Sequence, residues 1–172
     1  MVVSVYRFDR LSQAEMHHQE EKIMLKEKLL GTWKLQSFTG TDEGGATVHI
    51  MGEGATGFIC YSQDGWVSVE ILRAGRPRYD VPDTELGTDE QTLNAARGMF
   101  AYAGRFTVDE ENQIVYHDLE FSLIPNWIGS RQKRYVNFKD DGKTLILTAD
   151  PVRIGKDGKR RNTALVWARD SE

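Results

Sequence analysis

From Gly31 onward the chain alternates short runs rich in Val, Ile, Tyr, Phe and Thr with the turn-forming clusters "DEGG", "QDG", "VDEEN", "DDG" and "KDG". Apolar alternation broken at short intervals by such clusters predicts an antiparallel meander. Eight strand candidates emerge, near 32–39, 55–61, 66–73, 101–108, 113–123, 131–138, 143–149 and 162–169. About eight strands joined mostly by short turns suit an up-and-down barrel, which removes its edges by closing and has room inside for one small ligand.

Two segments depart from the period of two. Residues 11–30, "LSQAEMHHQEEKIMLKEKLL", have capping-box spacing at Ser12 and Glu15, and Met16, Ile23 and Leu30 recur at seven-residue intervals. The spacing predicts a helix closed by Gly31. Residues 1–30 are accordingly expected as a helical extension and 31–172 as the barrel domain. The second departure is "AGRPRYDVPDTELGTDEQTLNAARGMF", between the third and fourth strand candidates. There Pro77 and Pro82 stop strands, and Thr88 with Gln91 starts a capped helix carrying Leu93, Ala96 and Phe100. A long insertion in a short-turn meander suggests a lid over the mouth. The expected fold class is all-β: an antiparallel barrel of about eight strands with an N-terminal helix and a helical insertion.

At 172 residues the chain fits one domain with a real core. Its formal net charge of -4 gives no support to nucleic-acid binding. The single cysteine, Cys60, excludes an intrachain disulfide and a Cys-rich zinc site, so a reducing, cytoplasmic setting is the simpler expectation. Arg7, Asp9 and Arg10 interrupt the N-terminus before a signal-length apolar stretch builds up, and no run is long enough to span a bilayer. No Gly-rich phosphate loop, zinc spacing or Ser/His/Asp order points to a cofactor or metal. His17 and Glu21 stand four apart, but without a third ligand they read as a solvated helix face. The composition says nothing about oligomeric state.

"LLGTWKLQSF" resembles the Gly-x-Trp opening strand of lipocalins, and "ALVWAR" resembles their last strand. "GFICYSQDGWVSVEILRAGRPRY" and "AYAGRFTVDEENQIVYHDLEFSLIPNWIGSRQKRYV" extend the likeness, over roughly residues 29–169, to the bacterial and fungal lipocalin-like domain family. The resemblance implies that Trp33 and Arg169 close the barrel floor. An indole can plug that end while a guanidinium caps its face and binds nearby carbonyls. Function is less constrained, because this fold hosts binders as well as cofactor-independent cyclases and isomerases.

Pleat alternation then sorts candidate pocket residues. His117 shares a face with Val115, Leu119, Phe121 and Leu123, Gln132 and Arg134 share one with Val136 and Phe138, and Tyr102 shares one with Phe100 and Phe106. Trp127 follows the turn at Pro125, and Tyr61 joins the set although both faces of its strand region carry bulky residues. The expected lumen is thus apolar with a few orienting groups, as small-molecule pockets are. Three readings follow. In the first, Tyr61, Tyr102, His117, Phe121, Trp127, Gln132 and Arg134 bind a small, largely apolar or amphipathic ligand. In the second, His117, with Arg134 and Tyr102, moves a proton on a polyketide-like or terpenoid-like metabolite in an isomerase or cyclase. In the third, the polar set is a satisfied network inside a filled structural or protein-interaction barrel.

Overall fold

A computed structural model describes residues 24–80, 87–155 and 157–170. The helix expected over 11–30 lies mostly outside the described residues. Its last turn is present as α1 (Leu25–Leu29), with Leu25 and Leu29 buried. Gly31, at φ 107, turns the chain from this helix into the first strand, a conformation that costs glycine little.

Among the described residues nine strands follow: β1 (Gly31–Asp42), β2 (Thr47–His49), β3 (Thr56–Tyr61), β4 (Trp66–Leu72), β5 (Met99–Asp109), β6 (Ile114–Ser122), β7 (Arg131–Lys139), β8 (Thr144–Arg153) and β9 (Arg160–Arg169). Neighbours pair antiparallel in chain order from β3 to β9, and β1 pairs with both β3 and β9, which closes an eight-stranded barrel. The extra strand is β2, which pairs with Thr39–Thr41 of β1. Its three residues are all exposed, so no apolar alternation marks it in the sequence.

The insertion between β4 and β5 carries α2 (Asp89–Arg97), whose Thr88 and Gln91 make the expected reciprocal cap. Phe100 is a strand residue of β5 instead of a helix residue, because the glycine at 98 ends the helix. No residue of α2 is buried, and Leu93 is exposed.

Alternating residues from all eight barrel strands fill one continuous core. Register shifts interrupt that alternation at three places, one of them in β8 between Ala149 and Val152. In β1 the register slips between Leu35 and Ser37, so the inward series Trp33, Leu35 resumes at Phe38 and Gly40. In β6 Gly104 faces Leu119 and Ala103 faces Phe121, leaving Glu120 as an extra residue. Glycine at 104 permits this close approach, since a Cβ there would lie 1.9 Å from the Asp118 carbonyl oxygen.

At the floor, Trp33 is fully buried and its indole N–H donates to the Leu29 carbonyl at 2.8 Å. The Arg169 guanidinium lies 4.0 Å over the Trp33 ring and donates to the carbonyls of Lys28 and Leu30. One cation thereby ties α1, β1 and β9 together at that end.

Candidate functional site

The upper half of the barrel encloses a cavity of about 560 Å³. Phe38 of β1, Ile59 of β3, Phe100 and Tyr102 of β5, Leu147 of β8, and Leu165 and Trp167 of β9 form its apolar wall. The rim is drawn from Ile50–Met51, from Ile124 and Trp127, and from Val152–Ile154. Polar groups are few: Tyr102, Gln132, Arg134, Arg153 and Thr163. The described part of the insertion, with α2, supplies none of this wall ahead of Phe100.

Aromatic packing orients the wall. Phe100 meets Trp127 edge to face at 5.4 Å and Tyr102 at 5.8 Å, and Phe38 leans on Phe100 at 5.9 Å. Trp127 sits in a single 3-10 turn, Pro125–Trp127, whose proline stands at the first helical position where no N–H is needed.

His117 stands directly behind this wall. It is fully buried, and both ring nitrogens are engaged: Nδ1 lies 2.9 Å from the Tyr102 hydroxyl and Nε2 lies 2.9 Å from the Tyr61 hydroxyl. Register puts His117 opposite Phe106 on one side and Gln132 on the other, and Arg134 opposite Val115, all on the inner face. Burial, and then the nearby Arg134 charge, hold the imidazole well below its ordinary pKa, so it is neutral. Burial pushes both tyrosines up, with Arg134 acting the other way, so both remain protonated phenols.

Of the residues expected in a pocket, Tyr102, Trp127, Gln132 and Arg134 line the cavity. Tyr61 and His117 form the layer beneath Tyr102 and do not reach the wall. Phe121 is elsewhere altogether: it is 62% exposed on the outer face, 6.3 Å from Trp66. The extra residue at Glu120 is the cause, because it reverses the side on which the following residues fall, turning Phe121 and Leu123 outward and Ile124 toward the cavity. Cavity residues not singled out from the sequence include Leu147, Ala149, Thr163, Leu165 and Trp167. Their period of two on β8 and β9 was the available signal.

Among the described residues no group of three or more His, Cys, Asp or Glu side chains gathers to hold a metal. No described helix is long and apolar enough to cross a membrane.

Comparison with known proteins adds three findings. A family model for the lipocalin-like domain matches residues 30–170. The 4'-hydroxy-3'-methoxypropiophenone carrier protein ppsC of Aspergillus oryzae is 37% identical over 107 residues, covering 59% of this chain and 94% of that protein. Among solved structures, a redesigned β-barrel aligns over 86% of this chain and 96% of its own at 13% identity and a TM-score of 0.41. A mutant of the fluorescent protein UnaG aligns over 85% and 99% at 18% identity and a TM-score of 0.33.

Proposed function

This chain belongs to the lipocalin-like domain family, and on that premise we propose that it binds one small, largely apolar molecule inside its barrel, as a carrier and not as an enzyme. The observation that carries the reading is the cavity itself, about 560 Å³ of mostly apolar wall with polar groups confined to a few positions. A filled structural barrel would have no such space. In this reading Phe38, Phe100, Leu147 and Leu165 take up the ligand's apolar body, Trp127 covers it at the rim, and Tyr102, Gln132 and Arg134 orient it.

The relative's name supports a carrier of a small aryl ketone in that protein. By analogy an aromatic metabolite of similar size is a reasonable class of ligand here. The position of His117 weighs against the proton-transfer alternative, since a general acid or base must come within hydrogen-bond reach of its substrate. His117 instead spends both nitrogens on Tyr61 and Tyr102.

Native mass spectrometry of the protein purified from its own host tests the proposal. A retained, dissociable small molecule is the expected result, lost when Ala149 in the wall is replaced by tryptophan. A molecule retained equally by the Ala149→Trp variant would place binding outside the barrel and overturn the reading.

A further inference from the structure

The cavity's charge does not match that of the protein. The whole chain carries a net charge of -4, yet the eighteen cavity-lining residues include two arginines, Arg134 and Arg153, and no aspartate or glutamate. Arg134 donates to the carbonyl of its neighbour Lys133 at 2.8 Å. Among the described residues it forms no ion pair with a carboxylate. A guanidinium facing an apolar space without a counter-ion is costly unless something in that space compensates it.

The buried hydrogen bonds supply a second, independent argument. A neutral imidazole has one N–H donor and one bare acceptor nitrogen. The Tyr61 hydroxyl is buried, and among the described residues its hydrogen bond is to His117 Nε2 alone. If Nε2 carried the proton, the Tyr61 hydrogen would be left unpaired in the core, at the cost of a desolvated donor. Tyr61 therefore donates to Nε2, and the imidazole proton resides on Nδ1. That proton is donated to the Tyr102 oxygen. Tyr102 cannot also give its own hydrogen to His117, so its O–H points away from the histidine, on the side where the residue meets the cavity. The chain Tyr61, His117, Tyr102 thus has a fixed direction and ends as a donor beside Arg134.

Resting on the binding function proposed above, we infer that the cavity selects an anionic ligand: an apolar, ring-sized body bearing one acidic oxygen group, paired by Arg134 and hydrogen-bonded by the Tyr102 hydroxyl. Carboxylates and acidic phenols or enols share this chemistry. His117 and Tyr61 are positioning residues that set the polarity of Tyr102 without touching the ligand.

Two fluorescent probes with the same aromatic skeleton test this. Anilinonaphthalene sulfonate is an anion at all working pH values, and phenyl-naphthylamine is its neutral counterpart. Both are titrated into the full-length protein, with the Ala149→Trp variant identifying the cavity component. The sulfonate is expected to bind roughly tenfold or more tightly than the neutral probe, the size of a hydrogen bond to a charged group. Arg134→Met should bring that ratio to about one. Arg134→Lys, which keeps the charge, should retain most of it, and Tyr102→Phe should lower it severalfold. Equal affinities in the wild type, or a ratio unmoved by Arg134→Met, would overturn the inference while leaving the binding reading intact. If neither probe saturates a cavity site, the binding reading and this inference fall together.

Discussion

Replacing His117 with phenylalanine should make the protein less stable at neutral pH and, at the same time, less sensitive to acid. At about pH 7 the substitution leaves the Tyr61 and Tyr102 hydroxyls without their shared partner. One buried hydroxyl stranded in this way costs on the order of 1–3 kcal/mol, and Tyr61 has no alternative among the described residues. The acid effect has the opposite sign. His117 is neutral in the fold because burial lowers its pKa from the ordinary 6.5, whereas in the unfolded chain it takes up a proton as pH falls through that value. A group whose folded pKa is depressed contributes stability above the unfolded pKa and loses it as pH falls. For a histidine that stays neutral in the fold, acidification from about pH 7 to about pH 5 removes about 2 kcal/mol. The wild type should bear this loss at His117 and the Phe variant should not. His17, His18 and His49 are common to both proteins and cancel in the comparison. Urea unfolding of the two proteins at both pH values reads the effect directly: the stability gap at pH 7 should narrow at pH 5, by up to about 2 kcal/mol. A gap of the same size at both pH values would refute the buried neutral imidazole.

Trp33→Ala should cost roughly 3–5 kcal/mol in chemical unfolding, the range for truncating a buried aromatic, because the indole also holds the Leu29 carbonyl and carries the Arg169 guanidinium. A loss below about 1 kcal/mol, within the range of an ordinary surface change, would remove the floor closure from the account. Phe121→Ser should change stability by less than about 1 kcal/mol and leave probe affinity as in the wild type, since Phe121 lies on the outer face. Weakened binding in that variant would contradict the bulge at Glu120.

The strands were legible in the sequence because five turn-forming clusters punctuate an alternation of period two, and each barrel strand contains its expected segment within a few residues. The three-residue β2 had no alternation to show. The bulges were hidden for a different reason. Val115, His117, Leu119, Phe121 and Leu123 alternate without a break, and only pairing against Gly104 and Ala103 reveals that Glu120 is supernumerary. The polar set was legible one face at a time, which is how Tyr102, Gln132 and Arg134 were found. That Tyr61 and Tyr102 grip opposite nitrogens of one histidine depends on four strands coming together, β3 through β6, and no local pattern encodes it. The same limit explains why His117 was expected in the pocket: alternation says that a residue points inward, but not whether it reaches the space or lies behind another side chain.

If the barrel interior is the binding site, titration of the neutral apolar probe phenyl-naphthylamine into the wild type and the Ala149→Trp variant will distinguish the two proteins. Ala149 lines the cavity, so an indole there occupies space that the ligand needs. One saturable site is expected in the wild type, with an affinity lower by about tenfold or more in the variant, a difference of about 1.4 kcal/mol, and both proteins folded by thermal melting. Absence of saturable binding by this probe and by its sulfonate counterpart alike, or equal affinity in the two proteins, would contradict binding in the barrel interior.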